Sequence, residues 1–122
     1  MISINNYQDI QIIQDANFAN TITFDDEYDT DLYTYQAKIA IDRKGTPFTY
    51  NGVVDAVNDI SFTIAKTSAT VLTLSLNANQ TSQFEDDFEG VWDLLSKKTI
   101  GGEMVRESEG DVVVSPSVTA AF

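Results

Sequence analysis

The segment Tyr33-Thr34-Tyr35-Gln36-Ala37-Lys38-Ile39-Ala40-Ile41 constrains the chain more than any other feature. It alternates, with Tyr33, Tyr35, Ala37, Ile39 and Ile41 on one side and Thr34, Gln36, Lys38 and Ala40 on the other. A period of two belongs to a strand with one buried face, whereas an amphipathic helix needs a period of 3.6. The same pattern returns in Thr21-Ile22-Thr23-Phe24 and in Ile60, Phe62 and Ile64 around Ser61 and Thr63. It returns again in Leu72, Leu74 and Leu76 around Thr73 and Ser75, and in Trp92 and Leu94 around Asp93. A short apolar segment at Ile10, Ile12 and Ile13 opens the series, and a strand from Met104 to Val114 ends it.

Turn signals separate these runs: Lys44-Gly45-Thr46-Pro47, Asn51-Gly52, Gly101-Gly102 and Glu109-Gly110-Asp111. Asn51-Gly52 suits a type I′ hairpin, because both residues tolerate positive φ. From Asn77 to Phe84 a polar start could cap one or two helical turns, with Ala78 and Phe84 facing inward. Short strands at this spacing predict an all-β fold: a single antiparallel, Ig-like β-sandwich of about seven strands with one short helical turn. Helix should account for under about a fifth of the residues, against the usual third. At 122 residues the chain reads as one domain over 1–122, able to bury roughly two-thirds of its unfolded surface. Residues 1–9 and 120–122 are expected to be flexible arms.

The chain contains no cysteine and no histidine. Disulfides, thiolate metal sites, and Ser-His-Asp or Cys-His catalysis therefore cannot be assembled from it. No catalytic, cofactor-binding or metal residue is assigned, no cofactor is expected, and the chain is read as no enzyme. The start, MISINNYQDI, carries no secretory pattern, and no apolar run approaches the ~20 residues needed to cross a bilayer. A net charge of −12 with only seven basic residues argues against nucleic acid or an anionic membrane as partner. Its plain meaning is solubility and repulsion between free copies.

Two acidic clusters remain. Asp25-Asp26-Glu27-Tyr28-Asp29-Thr30-Asp31 resembles a calcium loop at its odd positions, but Thr30 and Gln36 stand where the sharp turn needs Gly and the ligand set needs Glu. An EF-hand is excluded; a solvated loop is preferred to a looser cation site. Glu85-Asp86-Asp87-Phe88-Glu89 could supply an acid/base pair, but adjacency in sequence does not give the separation that glycoside hydrolysis requires. Trp92 is assigned to the core. Tyr28, Tyr33, Tyr35 and Tyr50 are assigned to sheet packing, and Arg106 to a strand-surface ion pair.

The ordered segments together resemble a small β-sandwich module of phage and prophage structural genes, the N-terminal domain family of the lactococcal phage baseplate upper protein. The resemblance begins at Asp15-Ala16-Asn17-Phe18 and Thr21-Ile22-Thr23-Phe24. It continues through Asp31-Leu32-Tyr33-Thr34-Tyr35-Gln36-Ala37-Lys38-Ile39, then Val71-Leu72-Thr73-Leu74-Ser75-Leu76 and Ala78-Asn79-Gln80-Thr81. Trp92-Asp93-Leu94 follows, then Arg106-Glu107-Ser108-Glu109-Gly110 and Val112-Val113-Val114-Ser115-Pro116-Ser117-Val118-Thr119. Glu107 and Ser108 are polar where that family carries apolar residues, and the stretch from Glu85 to Glu89 is unusually acidic.

The resemblance implies a non-catalytic bacteriophage virion protein, made in the host cytoplasm, in the tail, baseplate or a fibre adaptor. It would dock on other virion structural proteins and be oligomeric in the particle, with the docking residues unassigned. A capsid decoration or head-fibre protein is the alternative, and a carbohydrate- or cation-binding β-sandwich a second one.

Overall fold

A computed structural model describes residues 7–41, 60–84 and 87–116, together with the backbone of 48–50 and 53–55. Ten strands are present among them: β1 (Ile10–Ile13), β2 (Phe18–Thr23), β3 (Tyr33–Ala40), β4 (Phe48–Tyr50), β5 (Val53–Asp55), β6 (Ile60–Ser61), β7 (Thr63–Ser68), β8 (Val71–Leu76), β9 (Glu89–Lys98) and β10 (Met104–Ser115). A five-stranded sheet runs β1-β10-β9-β3-β6, a three-stranded sheet β2-β8-β7, and β4 and β5 form a hairpin. The two larger sheets pack together, so the fold is all-β and sandwich-like.

The core lies where the alternation put it. Ala37 and Ile39 from β3, Trp92 and Leu94 from β9, and Val112 and Val114 from β10 meet Ile22, Leu72, Leu74 and Leu76 from the second sheet. Helix is confined to a 3₁₀ turn at Thr30–Leu32 and to α1 (Ala78–Thr81) among the described residues. Asn77 caps α1 as expected: its side chain accepts from Gln80 N, and the Gln80 side chain accepts from Asn77 N. Phe84 is buried, but the inward residue of α1 itself is Thr81 rather than Ala78. The Thr81 hydroxyl donates to the Ala16 carbonyl at 2.8 Å, tying α1 to the β1–β2 turn.

The strand count exceeds seven for two reasons. The run from Ile60 to Ser68 is continuous in sequence but changes partner: β6 pairs with β3, and β7 pairs with β8. Phe62 marks the crossing, its N–H bonded to Ala37 of the first sheet at 2.9 Å. The hairpin β4–β5 supplies the rest, with Tyr50 opposite Val53. The Asn51-Gly52 turn, the Lys44-Gly45-Thr46-Pro47 turn and the Tyr50 side chain lie outside the described residues.

Two expectations are corrected. The sheets are antiparallel except at one edge, where β1 pairs with β10 in parallel, from Ile10 opposite Val112 to Ile13 opposite Ser115. Side-chain alternation is the same in either direction, so a sequence pattern carries no sign for an edge strand that no hairpin joins to its neighbour. Secondly, Glu109-Gly110-Asp111 is not a turn but lies inside β10. Gly110 is there because the chain passes closely: a Cβ on it would sit 1.8 Å from the Gln8 carbonyl oxygen.

Candidate functional site

The acidic loop of 25–31 follows β2 and reaches β3 through the 3₁₀ turn. Its carboxylates face outward at Asp25, Asp26, Glu27 and Asp31, while Tyr28 and Thr30 are buried between them. Two carboxylates organise the backbone: Asp25 accepts from Glu27 N at 3.2 Å, and Asp29 accepts from Asp31 N at 3.0 Å as the cap of the turn. Thr30 anchors the loop to the β7–β8 turn through Ser68 and Ala69. Among the described residues no three carboxylates gather where one metal ion could be held. In the second cluster Glu85 and Asp86 lie outside the described residues. Asp87 takes a positive φ of 58° before Phe88, and Glu89 opens β9.

The loop's buried tyrosine begins a polar cluster that the sequence pattern did not single out. Tyr28 stacks on Phe24 at 4.0 Å and on Tyr33 at 4.8 Å between ring centres. Its hydroxyl shares a hydrogen bond of 2.5 Å with the Tyr35 hydroxyl. Burial raises both phenols, Tyr35 to about 12. Glu107, whose charge reaches both tyrosines, is 4% exposed and lies at a register shift of β10 between Arg106 and Ser108. A bulge of this kind re-aims one side chain, and here it turns a carboxylate inward, where the Ser96 hydroxyl donates to it at 2.8 Å. Burial raises the Glu107 carboxyl, opposed by the Ser96 bond. The polar departures at Glu107 and Ser108 were visible in sequence; that both are buried was not.

A carboxyl raised in the fold keeps its full stabilising contribution below its unfolded value of about 4.3. That contribution is lost as pH rises through the folded value. Glu107→Gln, which still accepts from Ser96, should therefore gain stability relative to the native chain as pH climbs from about 4 to 8. Paired urea titrations across that range measure the difference, in which the other carboxylates cancel. A pH-independent difference would show an ordinary carboxyl at Glu107.

Arg106 forms the expected surface pair, its Nη1 2.9 Å from Glu109 and its Nε 3.7 Å from Asp93. Trp92 is core, as assigned. Tyr33 and Tyr35 are half-buried sheet-packing residues.

The outward faces of the two sheets differ in kind. On the five-stranded sheet, Lys38, Lys97 and Arg106 are interspersed with Glu89, Asp93, Glu109 and Asp111, positions that alternate with the buried ones along β3, β9 and β10. On the three-stranded sheet, β2 turns out Ala19, Thr21 and Thr23. β8 turns out Val71, Thr73 and Ser75 beside them. β7 completes the face with Thr63, Ala65 and Thr67, the Thr67 and Thr73 hydroxyls 2.6 Å apart. None of these nine carries a charge. Sequence reasoning passed over them because it read each strand for its buried side, although the outward positions were equally open to reading. No family model matches the chain, and no curated protein matches it.

Proposed function

We propose that this chain is a non-catalytic structural component of a bacteriophage particle, acting by surface contact in its tail, baseplate or a fibre adaptor. The observation that carries the reading is the work performed by the residues of the phage-module resemblance. Asp15 adopts a positive φ of 63°, a conformation that Asp and Asn tolerate better than most other residues except Gly. Gln80 and Thr81 cap and anchor α1. Trp92 fills the core, Arg106 bridges to Glu109, and Gly110 admits the backbone of Gln8.

Each of these residues builds the scaffold. What such a module offers a neighbour is its outward sheet faces and its edges, where β1, β2, β6 and β7 each pair on one side within the two sheets. Assembly by contact needs no more than this. The acidic loop of 25–31 would either stay in water or meet a basic surface, because like charges juxtaposed at an interface cost several kcal/mol.

The test is quantitative mass spectrometry of purified particles released by cells that carry the gene. The chain is expected at a fixed copy number, a small multiple of three or six for a tail position. Hundreds of copies per particle would favour capsid decoration instead. Particles without the chain, or turnover of a glycan or ester by the purified protein, would overturn the proposal.

A further inference from the structure

We infer that Glu107 is a proton-operated clasp on the β9–β10 hairpin. With its carboxyl neutral, the outer hairpin, residues 97–106, stays seated against β3. Once the carboxyl ionises it turns to water, and the hairpin lifts from β3 while the core stays folded. The inference concerns the domain itself and stands apart from the particle role.

The geometry begins where burial stops. Trp92, Leu94 and Ser96 are the inward residues of β9 and all are buried, but no residue from 97 to 106 is. Ser96 and Glu107 are thus the outermost buried residues of the hairpin, and their contact is polar, the Ser96 hydroxyl donating to the carboxylate. An apolar pair at this point would hold the hairpin equally at every pH. A carboxyl holds it well in only one of its two charge states.

The surroundings decide which. Among the described residues Glu107 has one neutral hydroxyl as donor and no salt bridge to a cation. The phenols of Tyr35 on β3 and Tyr28 in the 25–31 loop bring no positive charge, and Asp29 adds a negative one near Tyr35. Arg106, the neighbour on β10, is turned to Glu109 and Asp93. Lys97 and Lys98 of β9 and Lys66 of β7 are exposed. The amino-terminal charge favours ionisation, after the Ser96 bond, but burial outweighs both. A carboxylate sealed in with one donor and no paired cation is costly. The seated hairpin therefore favours neutral Glu107, and the lifted one favours the charged form.

What the clasp releases is held lightly. Beyond the core the hairpin is joined to β3 with Tyr33 opposite Lys98 and Thr34 opposite Lys97. The Thr99 N–H donates to the Leu32 carbonyl at 2.9 Å, and the Thr34 hydroxyl to the Lys97 carbonyl at 3.3 Å. Water readily replaces such bonds at an exposed edge. The 25–31 loop has its own anchor, the Thr30 N–H on the Ala69 carbonyl at 2.8 Å, so it does not follow the hairpin.

The sign follows from proton linkage. Below about 4.3, the ordinary Glu value, seated and lifted states are both protonated and opening is independent of pH. Above it opening rises, at most tenfold per pH unit, and levels off once the seated carboxyl also ionises.

Amide exchange of the full chain from pH 4 to 7, corrected for the chemical rate, reads each opening separately. The Thr99 amide should report an opening with this profile. That opening should be insensitive to low urea, because little surface is exposed. The Thr30 amide, and the Phe62 amide bonded to Ala37, should exchange more slowly and through urea-sensitive unfolding. Glu107→Gln, which cannot ionise, should leave the Thr99 opening flat with pH. Ser96→Ala, which removes the donor that favours ionisation, should move the levelling-off to higher pH. Three results would overturn the clasp: a Thr99 opening that does not vary with pH, one that rises with urea as the Phe62 opening does, or a Glu107→Gln profile matching that of the native chain.

Discussion

Trp92→Ala is expected to destabilise the protein by about 3–5 kcal/mol, the range for removing a buried aromatic side chain. Trp92 is 2% exposed. Its ring meets Phe62 edge-on at 6.1 Å between centres, joining β9 to the point where the chain crosses between sheets. The indole N–H donates to the Gln8 carbonyl at 2.7 Å, so the same side chain also fixes the segment that leads into β1. Alanine removes the core volume, the aromatic contact and that donor together. A guanidinium titration followed by far-ultraviolet circular dichroism measures the change; a loss under about 1 kcal/mol would place the indole outside the core.

Gly110→Ala is expected to be the second most damaging small change, at roughly 2–4 kcal/mol, from the upper part of the usual range for overpacking to somewhat beyond it. The added methyl would meet the Gln8 carbonyl oxygen at 1.8 Å, that carbonyl's carbon at 2.5 Å and the Trp92 Nε1 at 2.9 Å. Two of these atoms are backbone, so no rotamer change relieves the contact, and the segment before β1 must move away from β10. The damage should therefore be local as well as global. Amide exchange at Gln8, bonded to Glu109 at 2.8 Å, should quicken well beyond what the fall in overall stability accounts for. Unchanged protection of that amide would show that the methyl is accommodated elsewhere.

These two positions illustrate what the sequence discloses and what it hides. Trp92 was legible because one apolar residue on an alternating strand has only two sides to choose between, and the core takes the larger apolar one. Gly110 was misread as a turn: a glycine between two acids looks like a chain reversal, and only the approach of Gln8 from over a hundred residues away explains its place in a strand. The parallel pairing of β1 was hidden for the same reason, since partner choice at an edge is a long-range matter. Asn77 and Gln80 were readable because a helix cap is settled within four residues. Glu107 stood out as polar, but its inward turn depends on a bulge whose position follows from the pairing of β10 with β9. The uncharged outer face was in the sequence throughout, as the other half of the alternation that located the core.

The parallel contact between β1 and β10 also fixes how the molecule bears load. Residue 7 lies beside Glu109, whereas Ile13 lies beside Ser115. The chain thus enters the sandwich at one pole and residue 116 stands at the other, about 20 Å away along the strands. Tension applied at these two points pulls β1 and β10 past each other in opposite directions along their own axes. Every bond between them, from Gln8 on Glu109 to Gln14 on Ser115, is then loaded in shear at once. A hairpin pulled open at its end would instead yield one bond at a time. With residues 7 and 116 at opposite poles and β1 paired along β10, tension applied between those two residues is borne by the whole β1–β10 ladder together.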